Sequence, residues 1–90
     1  MMFEWDEGKS ENNYVARGFN FAYAAMVFDG PTLEMDDPRP GYNERRIQVI
    51  GRTGNDILFV VYTWRGDTRR IVSARKANRR ERDVYRKSFG

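Results

Sequence analysis

The run Ile57-Leu58-Phe59-Val60-Val61-Tyr62-Thr63-Trp64 constrains the fold more than any other feature of the chain. It is apolar on both alternating faces and β-branched or aromatic at most positions, as expected of a central strand covered on both sides. Its neighbours supply strands to pair with. Residues 45–52 alternate around Ile47, Val49 and Ile50, and Thr53-Gly54-Asn55-Asp56 then offers residues that tolerate positive φ in a hairpin turn. Downstream, Arg65-Gly66-Asp67 forms the next turn into a third strand over 69–75. There strict alternation places Arg69, Ile71, Ser73 and Arg75 on one face and Arg70, Val72 and Ala74 on the other. The pattern predicts an antiparallel meander of three or more strands.

Helices are expected around it. Met2-Phe3-Glu4-Trp5 alternates apolar and polar as a short N-terminal strand, and Asp6 can cap a helix over 7–17 that Gly18 ends. Asn20 can cap a second helix with Phe21, Ala24, Ala25 and Phe28 on one core-facing side, stopped by Gly30-Pro31. Residues 32–42 hold two aspartates, two prolines and a glycine and read as a loop that begins with a short strand over 32–35. Asn78 and Glu81 have the spacing of a capping box, opening a last helix from Arg79 to about Lys87 with Val84 and Tyr85 turned inward. Ninety residues suit one small domain, so 1–90 is read as a single α+β unit.

The chain has no cysteine and no histidine. Disulfides, thiolate or imidazole metal sites and Ser-His or Cys-His nucleophilic pairs are therefore excluded. No apolar run approaches the roughly 20 residues of a membrane span, and the N-terminus is acidic and aromatic, so a soluble cytoplasmic protein with no membrane partner is expected. Residues 1–44 carry three basic and nine acidic side chains, and residues 45–90 carry thirteen basic and four acidic ones, giving −6 and +9 about a total of +3. Eleven of the thirteen are arginines, whose planar fork suits phosphate. A nucleic-acid backbone is the natural partner, and on charge alone an arginine-rich solvated surface or an interface to an acidic protein carries about equal weight.

The residue strings add a resemblance. FEWDEGK at 3–9, FNFAYAAMVFDGP at 19–31, YNERRIQVIGR at 42–52, VVYTWRGD at 60–67 and RIVSARKANRRERDVY at 70–85 together resemble the BrnT toxins, in the family's order along nearly the whole chain. The last string is the most specific. The resemblance implies a RelE-like α+β fold and a ribonuclease that stops translation. It also implies a BrnA-like ribbon-helix-helix antitoxin, with operator DNA bound only by the toxin–antitoxin complex and a heterotetramer as a candidate assembly. One departure stands out: the first helix of that family ends in Lys-His-Gly, and here the residues are Ala16-Arg17-Gly18. Three readings stay open: Arg17 takes over a phosphate-binding role, the toxin is attenuated, or the sequence carries a disarming change.

Metal-free RNA cleavage needs a base for the 2′-OH, positive charge for the phosphorane and an acid for the leaving 5′-oxygen. Without histidine no side chain has an ordinary pKa near neutrality. Stabilisation would fall to Arg65, Arg75 and Arg79, with Arg17 as above, and the proton donors would be Lys9 or Lys76. Glu81 is the candidate base, weighed against a plain capping role. Tyr85 could lend a hydroxyl or a stacking surface, against core packing. Arg79, Arg82 and Arg86 recur at helical spacing and make a basic ridge about 10 Å long for RNA. Arg75 ends a strand beside a helix start, where a phosphate could also meet backbone amides, or it could pair with Glu81 or Asp83. Tyr62, Trp64 and Trp5 are read as packing residues. No cofactor is expected, and a magnesium site from Glu34, Asp36, Asp37 and Glu44 is disfavoured because acids in such a loop usually face solvent. The competing reading is a non-catalytic or attenuated basic binding module acting through its antitoxin or nucleic acid.

Overall fold

A computed structural model describes residues 2–41 and 43–90. Tyr42, which opens one of the matching strings, lies outside the described residues. Strand β1 (Met2–Trp5) leads to α1 (Glu7–Arg17), α2 (Phe21–Ala25) and a 3₁₀ turn (Met26–Asp29); β2 (Thr32–Asp36), β3 (Ile47–Thr53), β4 (Asp56–Arg65) and β5 (Thr68–Lys76) follow, and α3 (Arg79–Phe89) ends the fold. The strands form one sheet in the order β1-β5-β4-β3-β2. β2 to β5 pair antiparallel and β1 lies parallel on β5. This is the predicted α+β architecture, with the short strands expected near 2–5 and 32–35 forming the two edges of the sheet.

The local chemistry behaves as the residue types require. The Asp6 carboxylate accepts from Lys9 N, and Gly18 closes α1 at φ 85°, a left-handed conformation that glycine adopts without penalty. Asn20 caps α2 through Tyr23 N. Gly54 and Gly66 take positive φ in the two tight turns of the meander. The Asn78 side chain accepts from Glu81 N while the Glu81 side chain accepts from Asn78 N, completing the capping box of α3.

Two apolar layers flank the sheet. On one face Phe21, Ala24, Ala25 and Val27 pack on Val49, Leu58, Val60, Tyr62, Ile71 and Ala74. On the other, Tyr85 and Ala77 pack on Ile50 and Ile57. α3 contacts β3 at one end of this second face and does not blanket it. Beyond it, Thr63 Oγ1 donates to Arg45 O, fastening the 37–46 connection across the opposite end. The sheet surface between helix and connection stays partly open.

Three expectations are corrected. Strict alternation along β5 fails, because Val61 pairs with Ser73 whereas Tyr62 pairs with Ile71, so Val72 is an extra residue in the ladder. The bulge puts Ile71 and Ala74 in the same core and turns Ser73 and Arg75 to the opposite face. In α3 it is Tyr85 that is buried, with its hydroxyl donating to Pro31 O, while Val84 is 45% exposed. A helix that touches the sheet along one side buries a narrow stripe, and in α3 the Tyr85 ring occupies it. Trp64 is not enclosed either: it is 44% exposed, with its ring edge-on to Tyr62 and under the Arg69 guanidinium.

Candidate nucleic-acid interface

The open part of the second sheet face is built from registered residues. Gln48 on β3, Val61 on β4 and Ser73 on β5 stand side by side, and Phe59 and Arg75 form the next row toward α3. Together they floor a groove of about 380 Å³ that Arg39 from the connection and Arg17 from the end of α1 also line. Arginines from three distant parts of the chain thus meet over one patch. Among the described residues that line it there is no acidic side chain.

Each arginine is held differently. The Arg75 guanidinium carbon lies over the Phe59 ring, 4.2 Å from its centroid, and the guanidinium makes a two-pronged bond to Glu81 with Nη1–Oε1 at 2.8 Å and Nη2–Oε2 at 2.9 Å. Its Nη1 also donates to Lys76 O. Among the described residues, three of its five N–H groups are engaged in this way. The hydrogen bond from Arg75 lowers the Glu81 pKa, and the same bond raises that of Arg75, so the pair is held in its charged form. Arg39 is clasped by Asp37, whose carboxylate accepts from its Nε and Nη2 and is held at a pKa of about 2 chiefly by that bond. Arg17 Nη1 donates to Asn13 Oδ1, and Asn13 in turn donates to Phe19 O, tying the end of α1 to the following turn.

The edge of β5 explains why Arg17 reaches the groove. β1 pairs with β5 from Thr68 to Ile71, so among the described residues the edge beyond Val72 has no neighbouring strand. α1 lies there instead, with Lys9 Nζ donating to Val72 O, the bulged residue, at 3.4 Å. Lys9, Asn13, Arg17 and Ser73 line a shallow depression on this side, and Tyr14, Arg17, Tyr23, Asp56 and Lys76 line another farther along. Arg17 borders all three hollows.

Of the residues singled out from sequence, Arg17 and Arg75 share the groove, Glu81 holds Arg75 from behind, and Lys9 and Lys76 flank it. Lys76 sits 3.7 Å from Asp56. Arg65 is elsewhere: it pairs with Glu44, six residues along β4 from Phe59 or about 20 Å at the usual strand rise. Arg79 is exposed on the first turn of α3, Arg82 donates to Ala77 O, and the Tyr85 ring is inside the core. Glu34 and Asp36 are spent on Tyr62 and Arg45, and among the described residues no cluster of acids could hold a metal ion. Sequence reasoning missed Arg39, Gln48, Ser73 and Phe59 as groove residues. The pairing of Asp37 with an arginine two residues on, inside a proline-flanked loop, was the available signal for Arg39.

These features define a class, a small α+β protein with an arginine-lined groove across a half-covered sheet. The model of a family described as the ribonuclease toxin BrnT of type II toxin–antitoxin systems matches residues 5–81, and the chain belongs to that family. No curated protein matches it. A type II toxin is paired with an antitoxin, so an antitoxin is the partner that membership implies. Among the described residues no helix is long and apolar enough to cross a membrane.

Proposed function

We propose that the chain, acting as a single domain in the cytoplasm, cleaves RNA without a metal ion in the groove where Arg17, Arg39 and Arg75 converge, and thereby blocks translation. The convergence of those three side chains on one groove, with no acid among its described lining residues, carries the reading. Arginine is permanently charged and forks onto phosphate, so the site is suited to stabilise a phosphorane. The 2′-oxygen attacks phosphorus, its proton passes to solvent hydroxide, the P–O5′ bond breaks, and the departing oxygen takes a proton. Lys9, an ammonium at the β5 edge beside Arg17 and Ser73, is the donor the placement favours. Glu81 acts on the reaction through Arg75. Both of its oxygens are engaged, and its lowered pKa makes it a weak base. Arg79 and Arg82 extend the positive field along the RNA, and Arg65 serves at the far hairpin.

The partner in this reading is a BrnA-like ribbon-helix-helix antitoxin that covers the basic end of β5 and α3, with operator DNA reached only through the complex. The engagement of Glu81 favours one other reading, a binding module that holds RNA without cutting it. Cleavage of a labelled RNA by substoichiometric protein with chelator present separates the two. The expected result is turnover by the natural sequence, a marked loss in Arg17→Ala, and turnover in Arg17→His. Absence of cleavage by all three, with RNA still bound, would replace the ribonuclease reading with the binding module.

A further inference from the structure

Resting on the ribonuclease reading, we infer that the hollow between the end of α1 and the β3–β4 turn, bounded by Tyr14, Arg17, Tyr23, Asp56 and Lys76, is a subsite that selects a guanine next to the scissile phosphate. Its size, about 480 Å³, falls within the roughly 300–1,000 Å³ of small-molecule pockets. It adjoins the cleavage groove through Arg17, which lines both. Arg75 and Lys76 are consecutive on β5, so one faces the groove and the other the hollow. A strand crossing the β5 edge would meet phosphate-binding charge on one side and this hollow on the other.

The lining has the parts a base needs. Tyr14 is 54% exposed and offers a ring for stacking, which is sequence-tolerant by itself. Specificity would come from Asp56 and Lys76. Asp56 Oδ2 accepts from the Tyr23 hydroxyl at 2.6 Å, which fixes the carboxylate in orientation. Asp56 Oδ1 faces Lys76 Nζ at 3.7 Å, beyond hydrogen-bond length, so both groups keep capacity for a ligand between or beside them. An acceptor with two oxygens beside a cationic donor complements guanine, whose N1–H and N2–H₂ donate next to the O6 acceptor. Adenine presents no carbonyl, and uracil presents a single donor between two carbonyls.

The test uses two sets of short RNAs that differ only at the nucleotides flanking one defined cleavage position. One set is all-ribose and reads cleavage; the other carries a 2′-deoxy group at the scissile nucleotide and reads binding alone by fluorescence anisotropy. The natural sequence is expected to bind guanine at one flank at least tenfold tighter than adenine or uracil, with inosine, which lacks N2, falling between. Asp56→Asn, which still accepts from Tyr23, and Lys76→Gln should each flatten the preference while melting normally. Tyr14→Ala should weaken binding about tenfold for every base. Equal binding of all bases, or a guanine preference that persists in Asp56→Asn and Lys76→Gln, would overturn the subsite whether or not cleavage occurs. A guanine preference in binding without cleavage of the all-ribose set would keep the subsite and refute the ribonuclease reading.

Discussion

Replacing Glu81 by glutamine separates positioning from base catalysis at the site. Glutamine preserves the capping box and can still accept one bond from Arg75, so the change removes charge rather than shape. The lost partner is a charge-assisted, two-pronged contact at 2.8 and 2.9 Å, with the Glu81 side chain 17% exposed and that of Arg75 38%. A hydrogen bond to a charged group is worth about 1.5–3 kcal/mol when sheltered, whereas an open surface pair gives about 0.2–1 kcal/mol. With one partner more than a third exposed, solvent screening brings the expected destabilisation to about 1 kcal/mol. The pH dependence follows from the depressed carboxyl pKa. The contribution is fully present above the unfolded glutamate pKa and is lost as pH falls through the lower folded value. Urea unfolding of both proteins should therefore differ at pH 7 and converge in the acid range. Single-turnover cleavage should fall about tenfold or less, with the pH profile unchanged in shape. A base contributes about 10²–10⁴-fold. A loss of that size, with the acid limb of the profile abolished, would refute the positioning role and make Glu81 the base.

Two further outcomes are expected. A Cβ added at Gly51 would stand 2.7 Å from Val27 Cβ and 3.2 Å from Thr32 Cγ2, so Gly51→Ala should cost about 1–3 kcal/mol by denaturant titration; an equally stable variant would show that the 3₁₀ turn yields freely. For RNA binding, Arg39→Gln should lower the slope of log affinity against log salt by about 0.7, the single-strand value for one phosphate contact, and an unchanged slope would remove Arg39 from the interface.

The caps and turns were legible because each rests on a local rule: Asp6, Asn20 and Asn78 cap where expected, and Gly18, Gly54 and Gly66 supply the positive-φ conformations. The strong apolar run became the central strand for the same reason. Val72 was not legible, since a bulge is decided by how two strands and a neighbouring helix fit, and period-two alternation carries no sign of it. That one residue moved Ser73 and Arg75 to the face opposite Ile71 and so determined which side of the sheet carries the groove. Arg17 and Arg75 were recognisable by type and position. Arg39 and Gln48 were not, because their contribution depends on a connection crossing the sheet and on register across β3 and β4.

The most direct measurement is chelator-treated cleavage of RNA by the natural sequence beside Arg75→Gln, with melting curves and RNA affinity recorded for both. Turnover by the natural sequence and at least a hundredfold loss in Arg75→Gln, with binding weakened far less, is the result expected of an arginine that stabilises the phosphorane. Equal turnover by both proteins, or none by either, would contradict a metal-free ribonuclease centred on this groove.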